Sequence, residues 1–553
     1  MKAVLLLTAA TAWTSLFAEM AAAQAPTSLL PVRNALAVPR SATVSATLPR
    51  ALSAGAVLTV FSQQAGGRKA GTATIAGNTV VFTPATGFKP GEQLTAVVTD
   101  GSVKYLWQFT AATGAGTGVF GGGSDTPVSQ TSMVTGDIDG DGDLDAVVPT
   151  NGTALDLLLN DGTGALTQRS LSTGSNSVNV ALLGDIDNDG DLDLLATRNT
   201  AVATRIFLLR NNNGTFTGPA DIISSTNGSG IPAVALGDMD SDGDQDIVMQ
   251  RGGTPQAEVL FNDGSGSFAG NVIITLPSDA RRLQLHDLDN DGDLDVLAAT
   301  SRGLSIRLNN GSAATFTAVP DVAETSYTGT IAVGDIDGDG DLDVIIPPFD
   351  YNGVIYVRLN NGNAAFAPAT QLLAVPYATE VALGDVDNDG DLDILATAPG
   401  GNVGISRNNG TGSFSVASTL SVGQRSAQSL ALVDMNNDGA LDLVFGNYGQ
   451  SSNQLSVRLN GTAAPTSTLD ASAASFQLWP NPLGPGNALQ LTLAAAAPTA
   501  SYFLLNGLGQ AVRAQTFSGQ RTSISSAGLA SGVYLLKVQV PGQLPVSRRV
   551  VVE

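Results

Sequence analysis

The chain has 553 residues, 43% of them apolar, with 63 glycines, no cysteine and a formal net charge of −23. That length exceeds what one hydrophobic core organises, so two to four domains are expected. The missing cysteines exclude disulfide staples and leave zinc and iron–sulfur centres without their usual ligands. The acidity argues against nucleic acid or anionic membrane as partner, because phosphate binding needs clustered Lys and Arg. Abundant Gly, Val, Thr and Asn point to short strands joined by tight turns, an all-β protein.

Residues 1–23 carry Lys2, an apolar run and the small residues Ala21, Ala22 and Ala23, the pattern of a secretory signal peptide cleaved after Ala23. No other segment reaches ~18 uninterrupted apolar residues, so no transmembrane segment is expected once it is removed. Residues 26–113 include "NTVVFTPATGFKPGEQLTAVVTDG" (Asn78 to Gly101). This stretch resembles the bacterial Ig-like domains of S-layer and adhesin proteins, which implies an N-terminal β-sandwich.

From residue 118 to 463 one unit is copied seven times. Its acidic motif begins at Asp137, Asp185, Asp238, Asp287, Asp335, Asp385 and Asp434, in steps of 48, 53, 49, 48, 50 and 49 residues. Such a regular period marks one supersecondary unit repeated. In each unit an apolar stretch leads into the acidic loop and another leads out. A third ends in a turn signal such as "LNDG" (Leu159 to Gly162) or "LNNG" (Leu308 to Gly311). Asn-Gly and Asp-Gly tolerate the positive φ of tight hairpins. A fourth segment carries Phe216, Phe268, Phe316, Phe366 or Phe414, with Leu166 in that role once. Four strands per unit, repeated radially, give a seven-bladed β-propeller, which leaves only short protected edges. The seventh unit lacks its own fourth strand while Phe120 precedes the first loop. Gly118 to Phe120 is therefore expected to complete the last blade and close the ring; an open solenoid is the alternative.

The motif D-x-D-x-D-G-D-x-D places oxygen donors at positions 1, 3 and 5, glycine at the turn, a backbone carbonyl at 7 and a further carboxylate at 9. That set suits a calcium ion, which takes six to eight oxygens at ~2.3 to 2.6 Å. The ligand residues expected in the first three loops are Asp137, Asp139, Asp141, Asp143 and Asp145; Asp185, Asp187, Asp189, Asp191 and Asp193; and Asp238, Asp240, Asp242, Asp244 and Asp246. The next three supply Asp287, Asp289, Asp291, Asp293 and Asp295; Asp335, Asp337, Asp339, Asp341 and Asp343; and Asp385, Asp387, Asp389, Asp391 and Asp393. The seventh, "DMNNDGALD", keeps Asp434, Asn436, Asp438 and Asp442 and has Ala440 where only a carbonyl is required. Two carboxylates ~4 Å apart repel by about 4 kcal/mol at an effective dielectric near 20, so metal-free loops would be strained. An EF-hand would need Glu at position 12 and flanking helices; Val148, Met249, Ile346 and Ala396 stand there instead.

Charge follows the motifs. Residues 118–461 hold 44 of the 49 acids, 13 Arg and no Lys, giving 13 − 44 = −31, and 33 of the 44 lie in the loops. About seven calcium ions would bring the array to −31 + 14 = −17. At ~2.7 kcal/mol per site at a hundredfold excess over Kd, they would decide folding.

These repeats resemble the FG-GAP or VCBS-type repeats of integrin α chains and bacterial surface proteins. The resemblance implies a seven-bladed propeller with calcium held in the D-x-D-x-D-G loops. The chain departs from the integrin pattern by carrying the loop in all seven units and by having little of the Phe-Gly and Gly-Ala-Pro signature. After a linker at 464–472, residues 473–553 contain "LWPNP" (Leu478 to Pro482), "LASGVYLLKV" (Leu529 to Val538) and "SRRVVVE" (Ser547 to Glu553). They resemble the type A C-terminal sorting domain of the type IX secretion system, a small β-sandwich. That implies the secretion machinery as a partner and an address that is secreted or at the outer-membrane cell surface.

Catalysis is not expected. The one histidine, His286, stands where most sister repeats have Gly and reads as a substituted loop residue. Acids outside the motifs, among them Asp156, Asp221, Glu258, Asp279, Asp350 and Glu380, leave a two-carboxylate glycosidase open without singling out a pair. The propeller has no Trp, and Phe349, Tyr351 and Tyr356 form its densest aromatic group, read as core packing. Adhesion to an extracellular protein or glycan is the leading expectation, a calcium-stiffened scaffold the second and a polysaccharide-acting enzyme the third.

Overall fold

The computed structural model describes residues 25–552 apart from short internal stretches, the longest being 462–475. The expected signal peptide and the linker at 464–472 lie outside the described residues. All regular structure among them is β. The chain divides into two compact units, residues 1–462 and 463–553.

The first unit begins with two facing sheets. One runs Ser28–Leu30, Val44–Thr47, Thr79–Pro84, Gly71–Ala76 in spatial order; the other runs Ala35–Val38, Val103–Ala111, Gln93–Asp100, Val57–Ser62, Gly67–Arg68. Alternating residues of both, including Val44, Val60, Phe82, Trp107 and Phe109, interdigitate in one core that the loop residue Phe88 joins. That is a sandwich, as period-2 apolar patterning dictates. Ala35–Val38 pairs parallel with Val103–Ala111, whereas the other pairings are antiparallel.

Six four-stranded antiparallel sheets follow, and a seventh of five strands ends the array. In the first, Val134–Gly136, Asp145–Pro149, Ala154–Asn160 and Leu166–Ser172 pair in sequence order, and the next five repeat that order. The second strands are buried on both faces, as in Asp145–Pro149, Asp246–Gln250 and Asp295–Thr300. This explains why they read as unbroken apolar runs rather than alternating ones. Sheets are glued face to face by shared clusters: Ile138, Val147 and Leu157 of the first pack with Val178, Leu194 and Phe207 of the second. The last sheet takes its outer pairing from the start of the array. Phe120 lies opposite Asn460, and Asp125–Val128 continues along the same strand to Asn453. Val128, Leu144 and Leu158 then pack with Val433, Met435 and Val457, so the first and last sheets touch and the ring closes. The open solenoid is not what forms.

Two details refine the sequence reading. Phe268 and Phe316 open fourth strands, but Phe216, Phe366 and Phe414 stand just before theirs. Their common role is packing: Phe216, Phe366 and Phe414 each lie against a cluster shared by two neighbouring sheets.

The second unit is one five-stranded sheet. Its long strands Ala488–Leu505 and Ala511–Ser525 pair along their lengths, with register shifts between Thr492 and Ala500. Phe476–Trp479 pairs with the first half of Ala488–Leu505 and Gly532–Gln539 with the second. Leu489 and Leu491 from one half and Tyr502, Leu504 and Val550 from the other bury in a single core.

Candidate metal centre

Every acidic loop joins the innermost strand of a sheet to its second strand, so all seven lie on one rim of the ring. Their backbones are near copies. The position-6 glycines, Gly142, Gly190, Gly243, Gly292, Gly340, Gly390 and Gly439, have φ between +91° and +99°. Position 4 is also left-handed in all seven, filled by Gly140, Asn188, Ser241, Asn290, Gly338, Asn388 and Asn437. Gly and Asn, which fill six of the seven, tolerate positive φ best. The amide of each position-6 glycine donates to the position-1 carboxylate, as from Gly142 to Asp137 at 3.1 Å and from Gly340 to Asp335 at 3.0 Å. The amide at position 7 donates to the carboxylate at position 5, as from Asp143 to Asp141 at 2.9 Å and from Ala440 to Asp438 at 2.9 Å.

The position-9 carboxylate has a second duty. Asp145 accepts from the amides of Ile138 and Asn160 at 2.9 and 2.8 Å. Asp193, Asp246, Asp295, Asp343, Asp393 and Asp442 repeat the arrangement. These aspartates tie the loop to the third strand.

The asparagine each one meets was read from sequence as a turn former. It is buried, and its side-chain amide clamps two sheets. Asn309 Nδ2 donates to Leu294 O in its own sheet at 3.3 Å and to Met239 O in the preceding one at 2.9 Å. Asn160, Asn211, Asn262, Asn360, Asn408 and Asn460 reach the preceding sheet in the same way. Asn460 reaches back across the ring closure too, accepting from the amides of Thr117 and Gly118. The signal was present in the sequence, since this asparagine recurs in every unit, but the hairpin reading absorbed it.

Position 7 also has a side-chain partner. Asp143, Asp244 and Asp341 accept from position-4 Asn437, Asn188 and Asn290 of the preceding loop, at 2.6 to 2.7 Å. At Ala440 that partner would be Asn388, which instead contacts Thr113, while Gly114 donates to the carbonyl of Gly439. The chain segment before the first repeat has taken the place of the aspartate.

The carboxylates converge. In the first five loops, three acids each place one oxygen within 4.8 Å of the others: Asp137, Asp139 and Asp145; Asp185, Asp187 and Asp189; Asp238, Asp240 and Asp246; Asp287, Asp289 and Asp291; and Asp335, Asp337 and Asp339. Ligands on opposite sides of a calcium ion at ~2.4 Å are about that far apart. Oδ1 of Asp185, Asp187, Asp287, Asp337, Asp387 and Asp434 is buried without a hydrogen-bond partner. Buried carboxylate oxygens left unpaired are costly, so residues of this kind in this spacing fit a hard cation.

Burial, reinforced by neighbouring carboxylates, pushes Asp145, Asp193, Asp343, Asp393 and Asp442 up to about 7 and Asp246 to about 8. Asp185 and Asp335 rise to about 6 for the same reason. In loops 2 and 6 an arginine already stands at position 3: Arg210 pairs with Asp187, and Arg407 with Asp387 at 3.2 Å.

The N-terminal sandwich sits over this rim. Asn34 Nδ2 donates to Gly340 O at 2.8 Å, the Leu106 amide to Gly292 O at 2.9 Å, and Lys104 to Asp240 O at 2.6 Å. On the axis of the ring the innermost strands enclose a cavity of about 440 Å³, lined mainly by apolar residues such as Leu182, Val234, Leu285, Val333 and Leu383 and met by Gln93 of the sandwich. His286 ends the strand Ala280–His286 and lines this cavity rather than belonging to a loop; burial holds its imidazole down at about 4, so it is neutral. Of the remaining acids, Asp221 pairs with Arg205, Glu258 with Arg251, and Glu380 with Arg282 at 3.7 Å. Tyr356 packs half-buried in the core, while Phe349, Asp350 and Tyr351 lie outside the described residues.

The ring of repeated four-stranded sheets with its rim of acidic loops defines a β-propeller-like repeat protein. The chain matches the FG-GAP-like repeat family at 137–196, 185–249, 287–346, 348–396 and 385–445, a bacterial Ig-like domain at 23–118, and a secretion system C-terminal sorting domain at 477–553. It is thus an FG-GAP repeat protein with an N-terminal Ig-like domain and a type IX sorting domain, which marks it for secretion and the cell surface. No curated protein matches it. Among solved structures it is similar to an Agrocybe aegerita lectin described as recognising non-reducing terminal N-acetylglucosamine, at 19% identity over 68% of this chain and 92% of that one, TM-score 0.43. It is also similar to a fungal alcohol oxidase of the AA5 family in complex with copper, at 11% identity over 79% of this chain and 100% of that one, TM-score 0.40. A third likeness is to the Photorhabdus luminescens Tc holotoxin pore, at 12% identity over 86% of this chain and 24% of that one, TM-score 0.32. These likenesses are too distant to assign chemistry.

Proposed function

We propose that this is a calcium-binding adhesion module of the cell surface, which holds an extracellular protein or glycan without turning it over. The observation that carries the calcium reading is the convergence of carboxylates in the loops, with unpaired, buried oxygens at position 1 or 3 in five of the seven. Asp, Asn and carbonyl oxygens are hard donors suited to calcium rather than to a soft metal. Bound ions would supply the positive charge that lets those carboxylates stay ionised in their buried setting.

The ligand surface in this reading is the rim opposite the acidic loops. The loop rim is occupied by the N-terminal sandwich, whereas Tyr448 ends its strand on the opposite rim with 43% of its surface exposed. Loops on a rigid scaffold are the usual carriers of recognition. The test is a thermal melt across a calcium titration, followed by screening against glycans and matrix proteins with and without chelator. No melting shift removes the metal reading; turnover of a polysaccharide in the same screen removes the non-enzymatic one.

A further inference from the structure

We propose that the N-terminal Ig-like domain is a cap on the acidic rim, and that its seating is coupled to divalent-cation loading of the loops; this rests on the calcium reading above. The cap touches all seven loops. Four of its donors take the same atom, the carbonyl of the position-6 glycine: Lys89 Nζ at Gly142, the Leu106 amide at Gly292, Asn34 Nδ2 at Gly340 and the Gly114 amide at Gly439. Loop 3 is held through Thr99 to Ser241 O and Lys104 to Asp240 O. In loops 2 and 6 the Arg68 amide and the Thr113 hydroxyl donate to the position-1 carboxylates of Asp185 and Asp385.

The fit is close as well as polar. A Cβ on Gly292 would lie 2.7 Å from the Tyr105 ring, and one on Gly91 would lie 2.7 Å from Leu441. Phe61, Val97 and Leu106 of the cap join one buried cluster with Met239, Leu285 and Leu294 of the repeats.

A cap that reads position-6 carbonyls reads the wound form of the loop, not charge alone. Those carbonyls point outward together only when the loop keeps its two left-handed turns. A cation inside holds that winding against the mutual repulsion of the carboxylates, so loading favours seating. By reciprocity seating must then tighten the loading. The cap's own cations oppose this, because Lys89, Lys104 and Arg33 raise the local potential. Residues 26–113 carry seven Lys and Arg against two acids, 7 − 2 = +5. A five-aspartate loop with one divalent ion is still −5 + 2 = −3. A loaded rim therefore attracts the cap less than an empty one but still attracts it, so the coupling is carried by the winding of the loops and not by charge.

The full chain contains no cysteine, so Ile75→Cys and Ile273→Cys, exposed on the cap and on an outer strand of the third repeat, accept spin labels uniquely. The expected result is one narrow label-to-label distance in calcium and a broad distribution in calcium-stripped buffer. Calorimetry on the same protein reads calcium binding independently. Lys89→Ala combined with Lys104→Ala should weaken calcium binding about fivefold or more, with Trp107 fluorescence, read in a Trp479→Phe background, confirming that the cap is folded. Equal narrow distances in both buffers while calcium binds overturn the coupling and leave the calcium reading standing. Tighter calcium binding in the double variant also overturns it, since the lysines would then act only by repulsion. No binding heat at all overturns the calcium reading, and this inference with it.

Discussion

Replacing Asn309 by alanine removes three hydrogen bonds at one stroke: Nδ2 to Met239 O at 2.9 Å, Nδ2 to Leu294 O at 3.3 Å, and the Ala313 amide to Oδ1 at 3.0 Å. Its backbone amide stays bonded to Asp295. Each net hydrogen bond is worth about 1 kcal/mol, and buried groups left unpaired cost about 1–3 kcal/mol each, so the loss should be about 3 kcal/mol. One kcal/mol shifts Tm by roughly 2–4 °C in domains of 150–250 residues and by less in larger ones. A fall of roughly 4 °C is therefore expected in a calcium-saturated melt, with a matching drop in denaturant midpoint. The control is the next residue: Asn310 is exposed and bonds only locally, to Thr317 and Thr315, so Asn310→Ala should stay within about 0.5 kcal/mol. Equal effects at 309 and 310 would refute the clamp.

Three further outcomes follow from the loops. In calcium-stripped buffer the carboxylates raised to about 7 or 8 stay protonated in the folded chain after they ionise in the unfolded one. The unfolded state then binds fewer protons, so stability should fall as pH rises from about 4 to 8. With calcium the trend should reverse, because the ion binds the deprotonated form; melts at pH 5 and 8 with and without the ion decide this. Arg210→Ala should tighten one calcium site, seen as a resolved step in a calorimetric titration, because the guanidinium no longer holds Asp187. Gly190→Ala meets no atom within 4 Å but sits at φ +97°, so any loss, about 1–3 kcal/mol, comes from backbone strain alone and should appear in the melting midpoint.

Much of the architecture was legible in the sequence because it is written periodically. The seven-fold spacing, the apolar runs on either side of each loop and the missing fourth strand at Asn460 were enough to expect a closed ring of four-stranded sheets. Glycine at position 6 was legible for the same local reason, since no other residue adopts φ near +95° cheaply. His286 was read as a loop residue because only its place in the motif was visible. Its strand carries it into the axial cavity.

The sequence alone determined which residues are repeated and what chemistry five alternating aspartates can offer; period and ligand type are properties of neighbours along the chain. Tertiary structure decided which of two adjacent asparagines is buried between sheets, why alanine serves at 440, and which rim of the ring is covered. Those outcomes depend on groups dozens to hundreds of residues apart meeting at hydrogen-bonding distance, as when Asn34 meets Gly340 or Asn460 meets Thr117. No local pattern encodes a contact whose two halves carry no signature of each other.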